Sequence, residues 1–140
     1  MIHEHRVRYH ETDAQGFLFN SRYLEIADVA MTELFRSLGW TYADLNAAGV
    51  DPSVVTANLV FSRPVRFDQV LKVRVTCTRV GRSSFTLDLS YSTESGVAAA
   101  AEITYVNVDA AAARSLPLPS GVVDQLNSVR ILHNEASDVL

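Results

Sequence analysis

Cysteine is almost absent: Cys77 is the only one in 140 residues. A single thiol forms no internal disulfide, which excludes a disulfide-stapled framework. Val73 and Val75 alternate with polar residues, and Cys77 continues the alternation. It is expected to be a small buried strand residue, since nothing beside it would activate a nucleophile. Long hydrophobic runs are missing too. No apolar stretch approaches the ~20 residues of a membrane span. The opening Met-Ile-His-Glu-His-Arg lacks the apolar core of a signal peptide. The expected setting is cytoplasmic, with no membrane partner. Positive charge is not in excess either. A formal net charge of −4 disfavours a nucleic-acid partner held through phosphates. Neither a Gly-x-Ser-x-Gly elbow nor a Gly-x-x-x-x-Gly-Lys phosphate loop is present. His3, His5 and His10 invite a metal reading, but no Cys/His pair follows at zinc-ligand spacing. Solvated strand histidines and no metal site are expected.

What remains is the balance of a folded protein, 48% hydrophobic and 20% charged. The length suits one domain over residues 1–140, with a frayed tail after about residue 130. Residues 2–10 alternate, with Val7 and Tyr9 facing one way and Arg6, Arg8 and His10 the other, which predicts a strand. Residues 11–20 form a polar turn that Asn20 or Ser21 would close as a helix N-cap. Tyr23, Ile26, Ala27, Ala30, Met31, Leu34, Phe35 and Leu38 then recur at helical spacing. That broad apolar stripe suits a long helix lying against a sheet, stopped by Gly39. A short helix ending at Gly49 follows.

A strand from about Val54 to Phe67 would contain Pro64, which argues for a sheet edge or a bulge. Three more strands, 70–80, 83–93 and 97–108, are joined by turns at Gly81-Arg82 and Ser95-Gly96. A short helix is expected near residues 120–128. The order predicts an α+β fold, an antiparallel sheet wrapped around one long central helix. Such a sheet leaves an open edge for a second copy, so a homodimer or homotetramer is expected.

Asp13 is the candidate catalyst. It lies three residues before Gly16 and about seven before the helix. A helix N-terminus offers free N–H groups with partial positive charge, and a glycine lets a carbonyl approach them. A carboxylate opposite oriented donors can hydrolyse an acyl group. It attacks the carbonyl or activates a water while the donors hold the oxyanion. A thioester suits so sparse a site, because its thiol leaves without a strong acid, with a pKa near ~8.5 by analogy with cysteine. Spacing alone leaves a second reading open, in which Asp13 merely caps the turn.

The residues Tyr9-x-x-x-Asp13-x-x-Gly16-Phe17-Leu18-Phe19-Asn20-x-x-Tyr23-Leu24-Glu25 resemble the signature of the 4-hydroxybenzoyl-CoA thioesterase-like family of hotdog-fold acyl-CoA thioesterases. Stretches 54–61, 67–71 and 81–85 extend the similarity over about residues 5 to 108. The resemblance implies the hotdog fold, catalysis by Asp13 and a site between two subunits. Backbone N–H groups of Gly16, Phe17 and Asn20 would polarise the thioester carbonyl. Arg79, Arg82, Ser83 and Ser84 would lie near coenzyme A, which enters as part of the substrate, so no cofactor is implied. Asn58 would face the cleft. Each has a plainer reading: a solvated hairpin, a satisfied strand amide, a helix N-cap at Asn20.

Many bacterial relatives carry histidine where Asn20 stands. Asparagine cannot shuttle a proton, which leaves Asp13 as the only ionisable catalyst. Phe17, Phe19, Tyr23 and Trp40 could line an acyl or aryl pocket or belong to the core. The thiol could be coenzyme A or the phosphopantetheine of an acyl-carrier protein. Two rivals stand beside hydrolysis. One is a non-catalytic acyl-thioester binding module. The other is a hydratase or dehydratase, which would need a histidine partner, and only His10 is near.

Overall fold

Alternating apolar residues form strands wherever a neighbour can pair with them. The computed structural model describes residues 1–131, so the expected frayed tail lies outside the described residues. The elements are β1 (Ile2–Arg6), α1 (Arg22–Ser37), α2 (Tyr42–Ala47), β2 (Pro52–Phe61), β3 (Val70–Val80), β4 (Ser84–Thr93), β5 (Gly96–Asp109), β6 (Arg114–Ser115) and α3 (Ser120–Ser128). The strands make one antiparallel sheet in the order β1-β3-β4-β5-β2, with β6 a two-residue addition to β5.

One face of that sheet is apolar and one helix covers it. Leu71, Val73, Val75 and Cys77 of β3 are buried, as are Phe85, Leu87, Leu89 and Tyr91 of β4 and Ala99, Ala101, Ile103 and Tyr105 of β5. Against them α1 buries Tyr23, Ile26, Ala27, Ala30, Met31, Leu34 and Phe35. This is the predicted stripe, and only Leu38 falls outside the helix. Ala27 and Ala30 on the helix and Ala99 and Ala101 on β5 are all at most 5% exposed. Small side chains on both layers let helix and sheet approach closely. A sheet curled around one long helix is the hotdog arrangement, as the resemblance implied.

Gly39 takes φ +96 just past the helix, a conformation that only glycine adopts freely, and so stops α1. At the other end Ser21 holds the N-cap position, as expected, but no side chain caps the helix.

Three expectations are corrected. The first strand ends at Arg6 rather than running to residue 10. Val7 keeps its buried place, but a 3-10 turn at Tyr9–Glu11 swings Tyr9 out, leaving it 81% exposed beside Phe67. His3 and His5 are not solvated. They pair with Val73 and Leu71 on the α1 side of the sheet and are half-buried. Finally, β2 ends at Phe61 and not Phe67, so Pro64 lies outside it. The N–H groups of Ser62 and Arg63 both donate to Ala98 O, at 2.8 and 3.0 Å, and the chain then leaves the sheet. The expected edge position holds, since β2 pairs only with β5.

Candidate active site

Because residues 62–69 leave the sheet, they run beside the turn that carries Asp13. Leu18 N–H donates to Val65 O at 2.6 Å, and Phe17 bridges to Arg66. The turn closes on itself. Asp13 N–H donates to Phe17 O at 2.8 Å, and Gly16 N–H donates to Asp13 O at 3.0 Å. Gly16 sits at φ +79, which explains a glycine there.

The Asp13 side chain is held by its own turn. Its Oδ1 accepts from Gln15 N–H at 2.9 Å and Phe17 N–H at 3.1 Å. Its Oδ2 takes no hydrogen bond from the described residues. One oxygen therefore anchors the carboxylate while the other keeps its lone pairs.

The structure sorts the expected carbonyl-polarising donors. The N–H groups of Gly16 and Phe17 are committed to Asp13, Leu18 N–H to Val65 O and Phe19 N–H to Glu11 O. Asn20 N–H, at the mouth of α1, takes no acceptor among the described residues. Of the three named donors, Asn20 alone is free for a ligand. Gly16 N–H instead closes the turn onto the Asp13 backbone carbonyl, and Phe17 N–H holds the Asp13 carboxylate.

Asp13 and Asn20 share a cleft of ≈ 330 Å³ lined also by Phe17, Phe19, Tyr23 and Phe61, and closed by Ser62, Arg63 and Pro64. The expected aromatics Phe17, Phe19 and Tyr23 are thus brought together. Tyr23 is buried edge-on against Phe61 and Tyr91, with ring centroids 5.0 and 5.1 Å away, and Tyr91 Oη donates to Tyr23 O at 2.8 Å. Phe19 stays half open to solvent, and the Arg66 guanidinium sits 4.8 Å over the Phe17 ring.

Other expected residues lie elsewhere. Trp40 is past the far end of α1, where its indole N–H donates to Gln125 Oε1. Asn58 is opposite Glu102 in the register, whereas Phe61 is opposite Ala99. Odd and even positions face opposite ways, so Asn58 is on the face away from α1 and does not line this chain's cleft. Arg79, Arg82, Ser83 and Ser84 sit at the β3–β4 turn. Ser84 pairs with Val106 of β5, seven residues from the Ala99 that pairs with Phe61. At about 3.3 Å per residue, that separates the two ends of the sheet by about 23 Å. Within one chain they do not meet Asp13.

Sequence reasoning missed the lining residues Phe61 to Pro64, because it continued β2 past Phe61 and kept residues 62–64 in the sheet. Pro64 was the available signal, since a residue without an N–H cannot continue a ladder. It also missed Glu11, which is 8% exposed. Glu11 Oε1 accepts from Arg8 N–H at 2.7 Å and lies 2.9 Å from His5 Nε2.

Comparison with known proteins agrees with this fold. The sequence profile described as thioesterase-like superfamily matches residues 7–126. An Aquifex aeolicus relative, an esterase by inferred name, is 31% identical over 85 residues, 61% of this chain and 66% of its own. A Bacillus subtilis relative, YneP, is named by inference as an acyl-CoA thioesterase. It is 34% identical over 70 residues, 50% of this chain and 51% of its own. The chain thus matches about half to two thirds of the length of these curated relatives. A crystal structure of a hypothetical protein from Aquifex aeolicus superposes with a TM-score of 0.83 at 26% identity, covering 90% of this chain and 98% of that one.

Proposed function

Since the chain belongs to the thioesterase-like superfamily, we propose that it hydrolyses an acyl thioester, of coenzyme A or of a carrier-protein phosphopantetheine, to a carboxylic acid and a thiol. The observation that carries this reading is the division of labour at Asp13. Two backbone N–H groups fix Oδ1, Oδ2 is left without a protein donor, and Asn20 N–H is free in the same cleft.

In this reading the acyl group lies among Phe17, Phe19, Tyr23 and Phe61. The thioester oxygen accepts from Asn20 N–H at the positive end of α1. Asp13 then has two routes. As a nucleophile, a carboxylate oxygen bonds to the carbonyl carbon, the C–S bond breaks and the thiolate leaves. Water then cleaves the resulting anhydride. As a general base, Asp13 takes a proton from water as the water oxygen attacks, and that proton passes to the departing thiolate. Asn20 takes no proton in either route.

In this reading Arg79, Arg82, Ser83 and Ser84 contact coenzyme A from a second subunit, since their turn lies at the other end of the sheet from this chain's cleft. Asn58, on the outer face, likewise reaches substrate only through another copy.

Thiol release over a panel of acyl- and aryl-CoAs tests the proposal. Asp13→Asn keeps the fold and lowers kcat about 10²–10⁴-fold, the usual range for a lost acid–base group. Equal rates for the two proteins would remove Asp13 from the chemistry. Tight acyl-CoA binding with no hydrolysis across the panel would make the protein a binding module.

A further inference from the structure

Among the described residues, Glu11 is the only charged residue that is buried as a whole, and the mechanism above does not use it. Burying a carboxylate is costly unless its oxygens are bonded. Here they are. Oε1 takes Arg8 N–H at 2.7 Å, and His5 Nε2 lies 2.9 Å from Oε1 and 3.1 Å from Oε2. The backbone of Glu11 is bonded in both directions as well. Its N–H donates to Arg8 O at 3.0 Å, and its carbonyl accepts Phe19 N–H at 2.9 Å. Burial pushes the Glu11 carboxyl up, while the Arg8 N–H bond and His5 pull it further down, so its net position is below the ordinary carboxylate range.

We infer that Glu11, gripped by His5, is a positioning residue that clamps the Asp13 turn between β1 and the start of α1. The catalytic part of this inference rests on Asp13 acting as proposed. Its side chain holds the segment before the turn, and its carbonyl holds Phe19, the residue before Asn20. Asp13 follows it by two residues. One residue thus fixes the spacing between the carboxylate and the N–H group that would share a thioester carbonyl. An ordinary turn would be closed by a hydroxyl or amide from its own loop. Here the contact comes from a different strand, which ties the turn to the sheet. Misplacement of a catalytic group by about 1 Å can cost about 10²-fold in rate.

The test compares wild type with Glu11→Ala, Glu11→Gln and Leu126→Ala. Leu126 is fully buried in α3 and serves as a control for general destabilisation. Steady-state thioester hydrolysis and amide hydrogen exchange are measured on each. Glu11→Ala is expected to lower kcat roughly 10–10²-fold with KM within about 3-fold, as expected for a displaced catalytic group. It should also speed exchange at Gln15 and Phe17, whose N–H groups hold Asp13, more than in α1. Glu11→Gln should recover most of both, because its amide oxygen can accept from Arg8 N–H and its NH₂ can donate to His5. Leu126→Ala should lower the melting temperature and leave kcat unchanged.

Wild-type kcat and exchange in Glu11→Ala would overturn the clamp, as would a kcat loss matched by Leu126→Ala. Asp13→Asn turning over at the wild-type rate would instead sink the reading of Asp13. Even then, faster exchange at Gln15 and Phe17 in Glu11→Ala would support the clamp, and unchanged exchange would overturn it.

Discussion

Cys77 shows how far a residue's chemistry follows from its place. It is fully buried on the α1 side of β3, as its alternation with Val73 and Val75 predicts. Burial pushes its thiol up to about 11, so almost none is thiolate at neutral pH. A disulfide reagent should therefore label the native protein at pH 8 roughly 10²-fold more slowly than the denatured chain, because only the thiolate reacts. Equal rates would show that β3 opens on the labelling timescale. The place of Asp13, in a turn at the mouth of α1, was equally legible, because an acid, a glycine and a helix start lie within one short stretch. Glu11 was not. Its role depends on His5, which reaches it only because β1 and the 3-10 turn fold back on each other. Spacing along a chain does not report such a contact. The donors around Asp13 were read only in outline for a related reason. Which N–H groups a tight turn uses for itself depends on its dihedral angles, and here Gly16 and Phe17 are used while Asn20 is not.

Periodicity exposes the interior of an element far better than its ends. All seven buried residues of α1 follow from the 3–4 spacing, and the inward faces of β3 and β4 follow from period two. Interiors are legible because burial repeats every turn or every second residue. Ends are set by competing local bonds. β1 stops where Glu11 captures Arg8 N–H, and β2 stops where two successive N–H groups share Ala98 O. Neither event has a periodic trace. The α1 stripe gives a stability prediction. Phe35 is 1% exposed and packs edge-on against Phe85, 5.6 Å between ring centroids. Phe35→Ala should cost about 3–5 kcal/mol, the usual range for a buried aromatic. Leu24→Ala, on the exposed side of the same helix, should stay within about 0.5 kcal/mol in the isolated chain. Urea unfolding of both variants checks the contrast, and equal losses would mean that α1 is not packed by this face.

At the scale of the molecule, the open edge of the sheet and the distance of the β3–β4 turn, proposed above to meet coenzyme A, point to the same need. β2 pairs on one side only, and Val54, Val55, Val60 and Phe61 along it are 43–58% exposed. Leu24 and Val29 add apolar surface on α1. An edge strand with this much exposed apolar surface invites pairing with another chain. A second copy docked there would cover it and could bring its own Arg79–Ser84 turn toward this Asp13. The expected particle is a dimer or a dimer of dimers, with at least twice the 15.4 kDa of one chain. Val29→Glu and Val55→Glu, both at exposed positions, should place charge in that interface without disturbing the core. Sedimentation should then show a shift toward single chains. Thioester turnover should fall with the dimer fraction and return as protein concentration is raised. A wild-type protein that sediments as one chain while turning over substrate would show that the cleft works without a partner. Arg79, Arg82, Ser83 and Ser84 would then have no part in binding.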